Sequence, residues 1–155
     1  MRYLCLDPGR RRIGLALSDE TGLIATPLGV LQVRDQEQVF REVARLVQKH
    51  EAGRVIIGLP LRLNGQEGIE SNRARSFAAD LQMYLDVPID FMDERLSSVE
   101  ADRLLLEAGF KREKRRANID ATAAALILQA YLDAERNQAR QVERNQARLD
   151  LKSEQ

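Results

Sequence analysis

Three acidic residues stand at the ends of separate segments of the chain, and together they could bind a metal ion. Asp7 ends the first predicted strand, Glu94 ends the fifth, and Asp120 lies in the first turn of a predicted C-terminal helix. In an open α/β sheet, ligands gather beyond the carboxyl ends of the strands. Asp7 and Glu94 would therefore project to the same edge if their strands are parallel, and a helix packed across the sheet could bring Asp120 to meet them.

A divalent cation would suit such a group of acids. Three neighbouring carboxylates repel one another and raise their own pKa values, and a bound cation removes that conflict. Ligands that are all oxygen favour Mg²⁺ or Mn²⁺. Such an ion lowers the pKa of a bound water and stabilises a leaving oxygen, so hydrolysis at this site would require no histidine base.

Each of these acids also has an ordinary structural explanation. An aspartate before Pro8-Gly9 is a common turn former, which would account for Asp7. The helix dipole would stabilise Asp120 near a helix N-terminus without a metal. Asp93 competes with Glu94 for the second position, because neighbours on a strand point to opposite faces, and the longer side chain favours Glu94.

The other residue types that usually carry catalysis are missing or badly placed. His50, the single histidine, lies at the predicted end of the first helix, where the helix dipole favours it. Cys5 lies within an apolar strand, where a small hydrophobic residue is expected. The chain has no nucleophilic-serine motif, no phosphate-binding P-loop and no cluster of Cys or His for zinc. Chemistry must therefore rest on carboxylates, arginines and lysines.

Two basic clusters flank the candidate metal ligands, although the formal net charge is zero. Arginine and lysine hold a nucleic-acid backbone without reading its sequence, so these clusters predict phosphate contacts; a solvated charged face is the alternative. The loop around Asn64 and Gly65 could be a plain turn or a flap over the site. The predicted phosphate-binding residues are Arg10, Arg11 and Arg12 beside Asp7, Arg62 in that loop, and Lys111, Lys114, Arg115 and Arg116 just before Asp120.

The order of predicted elements is three strands, a helix, a strand, a helix, a strand and further helices. The segments "YLCL", "IGLALS" and "LIATPLGVLQV" form a hairpin-rich start, with Pro27 typical of an edge strand. Asp35 predicts the N-cap of a helix that Gly53 ends, and "RVIIGLP" reads as a strand buried on both faces. A hairpin-rich start followed by βαβ units predicts an α/β fold with a mixed sheet and helices on its faces.

The segment after Asp133 changes character. "ERNQAR" occurs twice, from Glu135 and from Glu143, with no apolar stripe. We therefore expect one domain over residues 1–133 and an extension over residues 134–155 that is helical or disordered, and the sequence assigns it no chemistry. One cysteine cannot form an internal disulfide, which favours a reducing cytoplasm, and no apolar stretch is long enough to span a bilayer.

Four segments of the chain resemble the motif blocks of the bacterial YqgF-type nucleases. They are "DPGRRRIGLALSD", "VIIGLPLRLNGQEG", "DERLSS" and "IDATAAALILQAYL", and they occur in the order of that family. The family is described as Holliday junction resolvases and as nucleases that mature the precursor of 16S ribosomal RNA. The resemblance implies an RNase H-like fold with a five-stranded mixed sheet, Mg²⁺ or Mn²⁺ as cofactor, and cytoplasmic location. By the motif match, the acidic residues of the family fall on Asp7, Glu94 and Asp120.

Two departures from the resembled pattern affect the site. The family usually has lysine where this chain has Arg11. Better-characterised resolvases of the same fold carry a glutamate at the end of the fourth strand, where this chain has Gly58, Leu59 and Pro60. The second carboxylate must therefore come from the fifth strand.

The residues and the resemblance together predict a metal-dependent nuclease acting on structured nucleic acid, in 16S rRNA precursor maturation, Holliday junction resolution or both. A nucleic-acid-binding module without turnover is the alternative. An actin-like or sugar-kinase ATPase also starts with an Asp-x-Gly hairpin, but it normally needs two such domains. Phosphate contacts do not distinguish DNA from RNA, and symmetric cutting of a junction would call for a homodimer with two sites.

Overall fold

The computed structural model describes residues 1–61, 64–94, 97–109 and 111–154, and the side chains of residues 97–100 and 113–117 are not among the described groups. Within this part of the chain, no helix has the length and apolar character needed to cross a membrane.

One five-stranded mixed sheet forms the centre of the fold, as predicted. The strands lie in the order β3-β2-β1-β4-β5. The pairs β1–β2 and β2–β3 are antiparallel, whereas β1–β4 and β4–β5 are parallel. The carboxyl ends of β1, β4 and β5 therefore meet at one edge. The strands are β1 (Arg2–Pro8), β2 (Arg12–Ser18), β3 (Ala25–Gln32), β4 (Ala52–Leu59) and β5 (Ile89–Asp93).

Two helices, α1 (Gln36–Lys49) and α2 (Ile69–Gln82), cover one face of the sheet. The Asp35 side chain accepts a hydrogen bond from the backbone N–H of Glu37 at 3.0 Å, so the predicted N-cap is confirmed. The apolar stripe of α1 is buried against alternate residues of the central strands. That core includes Val39, Phe40, Val43, Leu46 and Val47 of α1, Leu4, Leu6, Val55 and Ile57 of the sheet, and Ala78 and Leu81 of α2.

The opposite face is covered by a long helix, α4 (Arg112–Ser153), with α3 (Ser97–Glu107) packed on it. Alanines on the inner side of α4 let its backbone approach the strands closely. The closest approach is at Gly14, where an added Cβ would lie 2.0 Å from the carbonyl oxygen of Asp120. Because Gly14 pairs with Asp7 across β1 and β2, this contact places Asp120 beside the end of β1.

Polar contacts fix α4 to the sheet at two further points. The Tyr131 hydroxyl donates to Asp90 of β5 and accepts from Arg54 of β4, both at 2.9 Å. Gln129 accepts a hydrogen bond from the backbone N–H of Ala25 at 2.9 Å, at the start of β3. These contacts hold α4 near both edges of the sheet. They therefore fix the position of Asp120 relative to the strands.

Two predicted boundaries were wrong. Glu51, at a φ of 53°, makes the turn after α1, and Gly53 lies inside β4. The helix α4 begins at Arg112, so the second basic cluster lies within its first turns and Asp120 in its third. The effect of the helix dipole falls off within the first turn, which removes the dipole as an explanation for Asp120. Beyond the sheet, α4 continues to Ser153 with exposed residues.

Replacing Gly14 with alanine tests the close approach of α4. The added methyl group would overlap the Asp120 carbonyl, and we expect a loss of about 1–3 kcal/mol in the free energy of unfolding, as is typical of overpacking. Urea denaturation would measure the loss. Gly53→Ala is the matched control, because its added Cβ would meet only the flexible side chain of Met1. Equal stability of the two variants would contradict the described packing.

Candidate active site

The side chain of Asp7 lies on the α4 face of the sheet. Side chains alternate along a strand, and Cys5, two residues earlier, is buried against α4. The pKa of the Cys5 thiol is raised well above its usual value by burial and by the negative charges of Asp7 and Glu94. Cys5 is therefore an inert thiol, and its surroundings place both acids on the same side of the sheet.

The same alternation decides between Asp93 and Glu94. Phe91 packs in the core beneath α1 and α2, whereas Met92 packs on the α4 side. Glu94 comes two residues after Met92 and therefore points to the same face of the sheet. Its backbone N–H donates to the Leu59 carbonyl at 3.3 Å, which extends the β4–β5 hydrogen bonding by one residue. Glu94 is therefore the acid that faces Asp7, and Asp93 points to the opposite face of the sheet.

Gly58 makes the space in which these two carboxyl groups meet. It lies on β4, the strand between β1 and β5, directly after Ile57, which pairs with Leu6. An added Cβ at Gly58 would lie 2.6 Å from Glu94 Oε2. Any side chain at this position would displace the Glu94 carboxyl group, so the glycine allows an acid from the fifth strand to reach across the fourth.

The pKa of each of the two carboxyl groups is raised. Burial is the largest cause for both residues. In Glu94, a hydrogen bond to Asp7 and the charges of Asp7 and Asp93 add to burial and raise the pKa to about 9. In Asp7, the charge of Asp120 also raises the pKa, whereas the hydrogen bond from Glu94 opposes the rise. Near neutral pH Glu94 therefore keeps its proton, which it donates to Asp7.

Asp120 lies near enough for its charge to raise the pKa of Asp7, and it is paired with Arg12. Asp120 Oδ2 lies 3.1 Å from Arg12 Nε. The distance fits an ion pair, but the N–H direction does not form a hydrogen bond, and this buried oxygen has no donor among the described groups. Arg12 was predicted to contact phosphate; here it supplies the positive charge that Asp120 requires.

The donor set of this site fits a divalent cation. Glu94 Oε2 and Asp120 Oδ2 are buried oxygens with no hydrogen-bond donor within the described part of the structure, and both are hard ligands. In that same part, no three acidic, His or Cys side chains are already grouped tightly enough to hold an ion. The proton of Glu94 and the side chain of Arg12 balance part of the negative charge of these acids.

The other predicted phosphate-binding residues have varied surroundings. Arg10 Nη2 pairs with Glu70 of α2 at 3.1 Å and is largely exposed, and Arg11 is exposed in the turn between β1 and β2. Lys111 is exposed at the N-cap of α4. Arg62 and the side chains of Lys114, Arg115 and Arg116 lie outside the described part of the chain.

The sequence reasoning missed two features of the site. It treated Gly58 as the loss of an acid, whereas the structure shows that this glycine admits the Glu94 carboxyl group. It also missed the pairing of Arg12 with Asp120. A signal for the first was present in the segment "IIGLP", where a lone glycine interrupts a buried strand, which often marks a close approach.

Comparison with solved structures agrees with the RNase H-like resolvase fold. RuvC of Thermus thermophilus, solved in complex with a Holliday junction substrate, superposes with a TM-score of 0.55 at 16% identity, over 87% of this chain and 95% of that one. The resolvase of Fowlpox virus, solved with Holliday junction DNA, gives 0.53 at 14% identity, over 86% of this chain and 98% of that one. These likenesses define the class of fold.

Comparison of sequences defines the family. The family model described as "RuvX: Holliday junction resolvase" matches residues 1–134, and this chain belongs to that family of nucleases. A relative in Anaeromyxobacter sp. (strain Fw109-5) is 45% identical over 133 residues, which cover 86% of this chain and 97% of the relative. One in Roseiflexus sp. (strain RS-1) is 38% identical over 135 residues, covering 87% and 96%. Both relatives are provisionally named pre-16S rRNA nucleases.

The raised pKa of Glu94 predicts that Glu94→Gln stabilises the protein at alkaline pH. Folded Glu94 keeps its proton up to about pH 9, whereas the unfolded side chain loses it near its usual value of 4.5, so stability falls as the pH rises between these values. Glutamine can donate to Asp7 without titrating. We expect Glu94→Gln to raise the free energy of unfolding in EDTA by up to about 4 kcal/mol more at pH 8 than at pH 5.

Urea denaturation at both pH values would measure this effect. Asp86→Asn is the control, because it removes an exposed acid from the connection between α2 and β5, away from Glu94. A Glu94→Gln variant that is no more stable than the wild type at pH 8 would show that Glu94 is ionised in the folded protein.

Proposed function

We propose that this chain is a divalent-metal-dependent nuclease that hydrolyses phosphodiester bonds in structured nucleic acid, with Asp7, Glu94 and Asp120 as its metal ligands. The observation that carries the proposal is the Asp7–Glu94 pair, two carboxyl groups that share one proton at the edge where three parallel strands end. Asp120 is held beside this pair by the packing of α4 on Gly14.

The cation would supply positive charge at the reacting phosphate and a water of lowered pKa. The protein supplies the oxygen ligands and their positions. Asp7 and Glu94 lie on strands of one sheet, which keeps the two groups rigid relative to each other. Glu94 must release its proton before it can act as a ligand, because a metal binds the ionised carboxylate. Asp120 must also exchange its ion pair with Arg12.

The basic residues around the site would hold phosphates that flank the cleaved bond. Arg11 is exposed in the turn that follows Asp7. Arg12, once released from Asp120, would be free to pair with a substrate phosphate at the same edge of the sheet. The pairing of Arg10 with Glu70 is solvent exposed and would exchange readily for a phosphate. Phosphate contacts of this kind give affinity without sequence specificity.

We infer the substrate class from the family and its relatives. A structured precursor of 16S rRNA is the first candidate, because the relatives are named for that activity. A Holliday junction is the second, and it would require a homodimer, since two strands must be cut. The buried free cysteine is consistent with action in a reducing cytoplasm. The alternative is a binding module of the same fold that retains the basic surface without cleavage.

Removing the carboxylate of Asp7 tests the proposed catalytic role. We expect Asp7→Asn to lower Mn²⁺-supported cleavage by more than about 100-fold, since residues that merely surround a metal site already contribute 10- to 100-fold. Cleavage of a 16S rRNA precursor fragment and of a four-way DNA junction would be measured. Asp86→Asn, an exposed acid in the connection between α2 and β5, is the control. Undiminished cleavage by Asp7→Asn contradicts the proposal, and binding without cleavage by the wild type supports the binding module.

Arg12→Gln tests the exchange between arginine and metal. Arg12 is 46% exposed and its ion pair with Asp120 is weak, so its loss should raise the Mn²⁺ affinity up to about fivefold. The same change should weaken substrate binding. Calorimetric titration with Mn²⁺ measures the first effect, and Arg11→Gln, which removes an equal charge from the same turn, serves as the control. A lower Mn²⁺ affinity in Arg12→Gln would show that Arg12 supports the metal site instead of competing with it.

A further inference from the structure

The exposed end of α4 carries a regular row of arginines, which we call the arginine ridge: Arg136, Arg140, Arg144 and Arg148. Four residues advance an α-helix by about 6 Å and turn it about 40° beyond one full turn. The ridge therefore follows one side of the helix over about 18 Å. It is produced by the repeated "ERNQAR" segment, to which the sequence alone assigned no chemistry.

Most of the ridge has no acidic partner within the described structure. Arg136 pairs with Asp133 one turn earlier. For Arg140, Arg144 and Arg148, all exposed, neither a salt bridge nor a hydrogen bond is formed with the described residues. Each arginine has another arginine four residues away, and like charges at this spacing destabilise a helix. An external anion would remove this repulsion.

The residues beside the ridge add hydrogen-bonding capacity. Helix geometry places Asn137 and Gln141 on the same side as the arginines, whereas Val142 and Leu149 lie on the opposite side. Arginine and side-chain amides together donate to phosphate oxygens and to base edges. The three exposed large apolar residues of this part of α4, Val142, Leu149 and Leu151, do not share one side of the helix, whereas a membrane-surface helix buries a single apolar face.

The ridge lies outside the part of the chain that the family shares. The family model matches residues 1–134. The alignments with the two relatives described above cover 97% and 96% of those proteins. Those relatives therefore have little chain beyond the matched domain. The packing of the domain against α4 ends near Leu132, so the ridge has no role in the core.

We propose that the arginine ridge is a second nucleic-acid contact, which binds the phosphate backbone of the substrate away from the site of cleavage. This inference rests on the proposed function for the identity of the partner. An even row of cations on a straight helix matches a linear polyanion, and unpaired Arg side chains gain affinity by releasing counterions from such a backbone.

The length of α4 predicts where on the substrate this contact falls. At 1.5 Å per residue, the ridge begins about 24 Å along the helix from Asp120 and ends about 42 Å from it. For a B-form DNA duplex that runs beside the helix, these distances correspond to about 7 to 12 base pairs from the cleaved bond, at 3.4 Å per pair, and to somewhat more pairs in an A-form RNA duplex. A short duplex would not reach the ridge, and a long one would.

A binding experiment on the full chain in EDTA separates this contact from catalysis. The variant R140Q/R144Q/R148Q removes three charges from the ridge, and glutamine keeps a similar helix propensity. The matched control, R41Q/R45Q/R103Q, removes three charges from α1 and α3, where each arginine pairs with a glutamate of its own helix. Fluorescence anisotropy would measure binding of a labelled RNA duplex of about 20 base pairs and of a hairpin with about six, across a salt series.

We expect the ridge variant to bind the long duplex at least about tenfold more weakly. The plot of log K against log salt should become less steep, by about 2 to 3 in the magnitude of its slope. Its binding to the short hairpin should equal that of the wild type, and the control variant should resemble the wild type on both probes. Circular dichroism should show unchanged helix content, so that a loss of affinity reports charge.

Several results would overturn the inference. Equal effects of the two variants would mean that the ridge contributes only net charge. Ridge-dependent binding to vesicles containing anionic lipid, without an effect on RNA, would assign the ridge to a membrane surface.

The proposed nuclease function fails separately. A wild type that binds RNA through the ridge but never cleaves it would support the inference and contradict catalysis. A wild type that cleaves while the ridge variant binds normally would do the reverse.

Discussion

Two carboxyl groups from different strands, Asp7 and Glu94, are held together in a half-buried position where only one of them can be charged at neutral pH. Burial raises both pKa values, the charge of Asp7 raises that of Glu94 further, and the proton on Glu94 relieves this conflict. Such a pair contributes little to the stability of the fold. In the proposed metal site, a divalent cation would replace the proton, and the rest of the site would support this pair.

The support comes from two glycines and one helix. Gly58 leaves the space through which Glu94 reaches Asp7, and Gly14 lets the backbone of α4 approach closely enough to deliver Asp120. Resolvases that carry an acid on the fourth strand, as the resembled pattern has it, need no such gap, so the glycine and the acid of the fifth strand form one solution to the same requirement. Arg12 then balances Asp120, and its partial exposure keeps that balance reversible.

The sequence could predict the sheet, because its strands are continuous apolar runs and the α1 stripe repeats at the helical period. It could also place Asp7 and Glu94 at one edge, since that follows from the parallel order of β1, β4 and β5. The start of α4 was missed because its first turns are highly charged and carry no apolar stripe, so they resemble a loop. The pairing of Arg12 with Asp120 depends on the path of a tight turn and on the exact height of a packed helix. Neither is encoded in a local pattern.

The most direct measurement is calorimetric titration of Mn²⁺ into the metal-free protein near pH 7.5, repeated in buffers with different ionisation enthalpies. If Glu94 carries the shared proton and must lose it to become a ligand, binding will release about one proton, and the apparent affinity will rise about tenfold for each unit of pH below 9. The Glu94→Gln variant will release none. Binding that is independent of pH, or no binding at all, would contradict a cation site built on this pair.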